Sequence, residues 1–116
     1  MVTRDDIEYP GTRQLLRWIF GRTERYRVVG ESMMPTLLDG EFVLVASTPD
    51  VREDQIVLAR HPDDAELVML KRVTRIVDDR YFLMSDNPAG TDSRRFGPVP
   101  RSAIMGVVEA RFPTSR

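Results

Sequence analysis

Most of this chain is divided into short runs of β-branched, aliphatic and aromatic residues, each ended by residues that favour turns. Six such runs predict strands over residues 26–29, 41–46, 55–60, 66–77, 80–84 and 104–110. The dipeptide Asp78-Asp79 separates two long runs and predicts a hairpin. Because short connections join neighbouring strands in antiparallel fashion, the pattern predicts a mainly β, antiparallel, barrel-like domain.

The first part of the chain has a different composition. Residues 1–9 are charged and predict no regular structure, whereas Pro10-Gly11 followed by Thr12 predicts the start of a short amphipathic helix over residues 13–20. We therefore divide the chain into a charged lead-in, residues 1–23, and a folded domain, residues 24–116. Arginines among apolar side chains leave open a weak peripheral membrane contact through residues 13–27. The alternative is a helix docked on the domain.

Composition excludes several classes of function. The 116 residues include no cysteine and a single histidine, His61, which lies in the turn sequence His-Pro-Asp-Asp and is interpreted as a surface residue. No metal or cofactor is predicted. A net charge of -1 gives no general electrostatic case for binding nucleic acid. With no apolar stretch near the roughly 20 residues of a membrane span and no secretory signal, we expect a cytoplasmic protein.

Lys71 is the one lysine among seventeen basic residues. Arginine does not lose its proton in a protein, whereas a buried lysine can. A position that remains lysine in an arginine-rich chain is therefore a candidate for a neutral amine. Strand alternation places Lys71 on the same side as Leu67, Met69 and Val73, an apolar face. The simpler alternative is a lysine that extends its ammonium group into solvent from a sheet edge.

Ser32 lies between two β-rich runs, in VVGESMMPTLLDGEFVLV, where a turn would present its hydroxyl. An apolar shell lowers the pKa of a lysine from about 10.4 towards neutrality. The neutral amine can then take the proton of a serine nucleophile. The following residues, Met33 and Met34, are either core residues or a flexible lining of an apolar peptide cleft. We predict that Met33 lines such a cleft.

Three segments in order, GESMMPTLLDGEFVLV, LKRV and SDNPAGTDSRRFGPVPRSAIMGVV, resemble the catalytic boxes of the type I signal peptidase (S26) family. These are serine proteases with a Ser/Lys dyad on a β-rich fold shared with LexA-like proteins. The resemblance covers residues 28–108. It implies that residues 24–116 form a Ser/Lys peptidase domain with Ser32 as nucleophile and Lys71 as general base. It also implies that Asp92 and Arg94 are a structural pair supporting the dyad.

Two positions depart from the pattern of that family. Many signal peptidases have a serine, whose hydroxyl helps to bind the oxyanion, at the position of Gly30. The resemblance therefore assigns Gly30 to the oxyanion and substrate-binding region, with the backbone N–H of Ser32 as the main donor. The loop between Asn87 and Asp92 is one residue shorter than usual. We therefore assign no serine of this loop as a partner of Lys71.

Within the family, the segments VLARHPDDAELVMLKRV and DNPAGTDSRRFGPVPRSAIMG most resemble the small proteases that mature nickel-type superoxide dismutase. This resemblance implies removal of an N-terminal propeptide from the dismutase precursor. We expect the extended substrate to add beside the strand predicted over residues 26–29.

Three alternatives remain: signal peptidase-like processing of another precursor, a LexA-like self-cleaving regulator, and an inactive peptide-binding domain. LexA-like proteins usually cut themselves at Ala-Gly or Cys-Gly before the serine. The one Ala-Gly here, Ala89-Gly90, follows both Ser32 and Lys71.

Overall fold

The computed structural model describes residues 2–4, 23–47, 50–90 and 93–113. These residues form seven strands, a one-turn α-helix α1 (Ser93–Phe96) and a 3-10 turn (Arg101–Ala103). The strands are β1 (Val2–Arg4), β2 (Thr23–Val28), β3 (Phe42–Ala46), β4 (Ile56–His61), β5 (Asp64–Val77), β6 (Arg80–Met84) and β7 (Ile104–Phe112). They join one sheet in the order β1-β2-β3-β7-β4-β5-β6, and neighbouring strands are antiparallel. The mainly β, antiparallel fold is therefore confirmed.

The six predicted strands are all present, with ends shifted by a few residues. The hairpin at Asp78-Asp79 is also confirmed: it joins β5 to β6, and Asp78 adopts a φ of 54°. One expectation for the lead-in is wrong, because residues 2–4 form β1, with Val2 opposite Val28 and Arg4 opposite Tyr26. The helix predicted over residues 13–20 lies outside the described residues. In the described part of the chain, no helix has the length and apolar character needed to cross a membrane.

The sheet is curled but open in the described residues. β1 and β6 are its two outer strands, so no hydrogen-bonded ladder closes it into a barrel. The curl nevertheless brings Cα atoms of β1 within 8 Å of Cα atoms of β5. The end of β2 that leads into the turn of Ser32 is thereby placed near β5, the strand that carries Lys71.

Two hydrophobic clusters pack on opposite faces of β4 and β5. The first cluster contains Val28, Met33, Leu37, Val43, Val45, Leu58 and Leu70. The second contains Val51, Val57, Ala59, Val73, Leu83, Val99, Ile104 and Val107. Because successive side chains in a strand point to opposite faces, the adjacent residues Val57 and Leu58 belong to different clusters. Strands buried on both faces read as nearly continuous apolar runs, which explains the apolar run over residues 67–70 in the middle of β5.

Candidate active site

Ser32 is in the tight turn that follows β2, and its side chain is half-buried. Before it, Gly30 has a φ of +96° and donates its backbone N–H to Asp39 Oδ1 at 2.8 Å. After it, the N–H of Leu37 donates to the carbonyl of Met33 at 2.9 Å. Met33 and Leu37 both belong to the first hydrophobic cluster. The turn is therefore attached at both ends, which fixes the position of the Ser32 hydroxyl.

The two residues differ in exposure: Gly30 is at the surface of the turn, whereas Met33 is buried. Met33 is 2% exposed, and its Sδ accepts the backbone N–H of Asp86 at 3.5 Å, so its side chain anchors the turn in the core. The N–H of Gly30 is already bonded to Asp39. A Cβ at Gly30 would meet nothing within 4 Å, but the positive φ favours glycine over serine. Backbone conformation, rather than lack of space, therefore favours a glycine here.

Lys71 is buried on β5, with 4% of its surface exposed. Val57 lies opposite it on β4, and Met69 and Val73 share its side of the strand. These three neighbours are also buried. The Nζ atom donates a hydrogen bond to Ser85 Oγ at 3.0 Å. Lys71 is therefore not a lysine that extends into solvent from a sheet edge.

Ser85 was missed by the sequence reasoning. It directly follows β6 and is 8% exposed. Met84, the last residue of β6, lies opposite Arg72, so the next residue along the chain arrives beside Lys71. The sequence does carry a signal for this contact. If residues of β5 and β6 are paired outwards from the turn at Asp78-Asp79, the residues just after β6 come close to Lys71. The lysine thus has a buried hydroxyl partner within the sequence Ser-Asp-Asn.

Gly90 packs between Ser85 and Ser32. A Cβ at this position would lie 2.4 Å from Ser85 Oγ and 3.1 Å from Ser32 Cβ, distances too short for a real contact with Ser85. The same loop is hydrogen-bonded to the serine turn, because the backbone N–H of Asn87 donates to the carbonyl of Ser32 at 2.9 Å. The side-chain amide of Asn87 also donates a hydrogen bond to the carbonyl of Glu31 at 2.9 Å. Ser32, Ser85 and Lys71 are therefore brought together from three separate segments.

The carboxylate of Asp86 connects these segments. Arg72 donates to it twice, from Nε at 2.9 Å and from Nη2 at 2.8 Å, and the hydroxyl of Thr36 donates to Oδ2. The hydrogen bond from Arg72 holds the pKa of Asp86 below its ordinary value, with Thr36 adding to this effect and burial opposing it. The same bond raises the pKa of Arg72. Asp86 is therefore charged at neutral pH and joins β5 to the turn after Ser32.

The remaining predicted residues lie away from this cluster or outside the described residues. Asp92 is not among the described residues, so the pairing of Asp92 with Arg94 stays a prediction; Arg94 itself is exposed on α1. His61 lies at the end of β4, where its ring packs on Phe96 with centroids 4.8 Å apart. Across the described ranges, no group of histidine, cysteine or acidic side chains is arranged to hold a metal ion.

The Arg72–Asp86 pair generates a prediction about stability. Because the folded pKa of Asp86 is lowered from 3.8, its charge stabilises the fold above that pH. The contribution is lost as pH falls through the folded pKa. Asp86→Asn should lower the free energy of unfolding at about pH 7 by about 2 kcal/mol, since hydrogen bonds to charged groups are worth about this much. Urea unfolding followed by circular dichroism would measure the difference.

The difference between wild type and Asp86→Asn should shrink as the pH is lowered from 3.8 through the lower folded pKa of Asp86, below which the wild-type carboxyl is also neutral. The matched control is Asp63→Asn, at an exposed turn carboxylate, which should leave the free energy of unfolding unchanged. A loss for Asp86→Asn that is equal at every pH would show that the charge of Asp86 does not stabilise the fold.

Comparison with known proteins identifies the family of this chain. The family model described as Peptidase S24-like matches residues 21–109, a span that includes Ser32, Lys71, Ser85 and Asp86. The mitochondrial ATP-independent inner membrane protease subunit 1a of Arabidopsis thaliana is 31% identical over 117 aligned positions, covering 72% of this chain and 70% of that protein. The resemblance to signal peptidase-like and S24-type peptidases is thus confirmed at the family level. The chain belongs to the Peptidase S24-like family.

Proposed function

We propose that this peptidase is a serine endopeptidase in which Ser32 is the nucleophile and Lys71 the general base. The observation that carries the proposal is the buried amine of Lys71, hydrogen-bonded to Ser85 beside the Ser32 turn. Removing an ammonium group from water is costly, so burial favours the neutral amine. A neutral amine can accept a proton, which an arginine in the same place cannot do.

The proposed reaction has two halves. Lys71 takes the proton of the Ser32 hydroxyl as Oγ attacks the carbonyl carbon of the scissile peptide bond. The same proton then passes from Lys71 to the leaving amine, the C–N bond breaks, and an ester joins the substrate acyl group to Ser32. Lys71 next takes a proton from water as the water attacks the ester; the ester C–O bond breaks, the acid is released, and Lys71 returns the proton to Ser32 Oγ. The backbone N–H of Ser32 supplies an oxyanion donor in both halves.

Ser85 and Gly90 act on the dyad indirectly. The 3.0 Å hydrogen bond to Ser85 holds the Lys71 amine in one position, so it does not have to be ordered at each turnover. Gly90 contributes by having no side chain, since a Cβ there would occupy the space of Ser85 Oγ. Both are therefore positioning residues, and neither is proposed to touch the reacting bond.

The proposed substrate is the N-terminal propeptide of a precursor protein, the precursor of nickel superoxide dismutase, cut in the cytoplasm. Support for this substrate comes from the resemblance of residues 57–73 and 86–106 to the proteases that mature that enzyme. Processing of a different precursor by the same dyad is the nearest alternative. The chemistry at Ser32 and Lys71 would be the same in either case.

Self-cleavage at Ala89-Gly90 is a second candidate, because Gly90 packs directly against Ser32. However, the N–H groups of both residues donate to Asn87, that of Gly90 to the carbonyl and that of Ala89 to Oδ1. The Ala89-Gly90 bond therefore lies in a closed turn rather than in an extended segment open to attack. Intact mass measurement after prolonged incubation separates the two candidates, since self-cleavage would produce fragments ending at Ala89.

Replacement of the dyad residues tests the mechanism. Lys71→Arg keeps much of the aliphatic stem but cannot act as a base, and Ser32→Ala removes the nucleophile. Both should abolish cleavage of a peptide substrate. In the wild type, kcat/KM should rise with pH as Lys71 loses its proton, because only the neutral amine accepts the serine proton.

The matched control for the dyad variants is Arg60→Lys, an exposed basic position on β4. It should keep wild-type kcat/KM. Folding of every variant would be checked by circular dichroism. A folded Lys71→Arg protein that still cleaves at a substantial rate would show that the base lies elsewhere.

Gly90→Ala tests the positioning of Lys71 by Ser85. The added methyl group would force Ser85 away from its place, and a displacement of about 1 Å near the reacting groups can cost about 100-fold in rate. We expect kcat to fall by about that factor with little change in KM, measured on the same peptide. Ala89→Ser, at the neighbouring exposed position, is the control and should leave kcat unchanged. Full activity in Gly90→Ala would contradict the role given to Ser85.

The substrate is tested separately with the precursor of nickel superoxide dismutase. Wild-type protein should cut it once, at the propeptide junction, and Ser32→Ala should leave it intact. Mass spectrometry of the products identifies the bond. If the wild type cleaves other peptides but not this precursor, the substrate is wrong and the dyad mechanism stands. Undiminished cleavage by Ser32→Ala would remove Ser32 from the mechanism.

A further inference from the structure

Half of β5 has an edge that neither β4 nor β6 covers in the described residues. β6 pairs with β5 only between Arg72 and Val77, because β6 ends at Met84. β4 pairs along the other side of β5, up to Ile56 opposite Arg72. Among the described strands, β6 therefore does not pair with the stretch of β5 that precedes Lys71.

β5 also comes close to the outer edge of β2, because β1 pairs with that edge and its Cα atoms lie within 8 Å of Cα atoms of β5. β2 leads directly into the turn of Ser32, and the open part of β5 ends at Lys71. The space between the outer edge of β2 and β5 therefore has the width of one strand, and we call it the slot; the turn of Ser32 follows β2 at one end. An extended peptide binds such a slot through main-chain hydrogen bonds, whatever its side chains.

β1 occupies this slot. Its residues pair with β2 in antiparallel register, with Val2 opposite Val28 and Thr3 opposite Arg27, and its Cα atoms come within 8 Å of those of β5. The edge beside residues 26–28, where we expected a substrate to add, is thus already paired with the chain itself. A substrate and β1 compete for the same main-chain donors and acceptors.

The register identifies which main-chain groups are shared. The N–H of Val28 donates to the carbonyl of Glu41 on the β3 side. Because successive N–H groups in a strand point to opposite sides, the N–H of Arg27 points towards β1, where Thr3 lies directly opposite. Residues that face each other in this way exchange two hydrogen bonds, so Thr3 is the central link between β1 and β2.

We propose that β1 is an autoinhibitory strand, which must leave the slot before a peptide substrate can bind beside Ser32. This proposal rests on the proposed function, because it takes the slot as the route to the dyad. A strand of three residues forms few hydrogen bonds, so a longer substrate displaces it. The apparent affinity for substrate is therefore the intrinsic affinity multiplied by the fraction of molecules in which the slot is open. The chemical step itself is unchanged by β1.

Thr3→Pro tests the proposal, since proline has no N–H to donate and removes a ladder hydrogen bond. Thr3→Ala keeps the N–H and is the matched control. Amide hydrogen exchange provides a readout that is independent of catalysis. In Thr3→Pro the Arg27 amide should exchange faster, whereas the Val28 amide, bonded to Glu41, should not change.

Binding of the chain's own segment supplies the second readout. A fluorescent peptide with the sequence of residues 1–7, MVTRDDI, should bind Thr3→Pro about 10-fold more tightly than wild type or Thr3→Ala. This factor is about what one lost main-chain hydrogen bond allows. The same peptide with proline at its third position should not bind. The unmodified peptide should also inhibit cleavage competitively, and Thr3→Pro should have a lower KM with the same kcat.

The outcomes separate this proposal from the function on which it rests. Equal peptide binding by Thr3→Pro and Thr3→Ala, or an unchanged KM in an active Thr3→Pro enzyme, would overturn the autoinhibitory strand and leave the dyad in place. Cleavage that persists in Ser32→Ala would overturn the proposed function instead. Tighter peptide binding by Thr3→Pro, with competitive inhibition of Ser32-dependent cleavage, supports both.

Discussion

The carboxylate of Asp86 is the interaction on which the site depends. It is bonded twice by Arg72, the residue after Lys71, and once by Thr36, four residues after Ser32. It also directly follows Ser85, the partner of Lys71. Bidentate, charge-assisted pairs of this kind fix the relative orientation of the two side chains as well as the distance between them. One acidic side chain thus connects three segments: the turn that contains Ser32, the strand β5 that carries Lys71, and the loop that begins with Ser85.

A bulge in the β5–β6 hairpin decides which residue faces Lys71. Val77 lies opposite Arg80, and in a regular hairpin the same count would place Asp86 opposite Lys71. The register shifts between Val73 and Arg75, so Arg72 faces Met84 and the next pair brings Ser85 to Lys71. Without the extra residue, a carboxylate would lie beside the lysine and favour its charged form. The bulge therefore provides a neutral partner for the amine and leaves Asp86 for Arg72.

The unequal lengths of β5 and β6 connect the site to its proposed regulation. β5 has 14 residues and β6 has 5, so the hairpin leaves the first half of β5 unpaired on one side. Exposed strand edges attract any extended segment that can pair with them. An edge left open for a substrate is equally open to β1, because main-chain hydrogen bonds do not distinguish one sequence from another. Covering such an edge with a short strand keeps it from pairing with the wrong chain while leaving it displaceable.

The sequence by itself determined six of the seven described strands, the hairpin at Asp78-Asp79 and the candidates Ser32 and Lys71. These depend on local patterns: alternation and turn residues for the strands, and residue type for a lone lysine in an arginine-rich chain. Only the tertiary structure decided that Ser85 bonds Lys71, that Met33 is a core anchor, and that β1 pairs with β2. Met33 and Asp86, for example, meet across 53 residues of chain. Such contacts depend on register and on the curl of the sheet, and one inserted residue changes them without altering any local pattern.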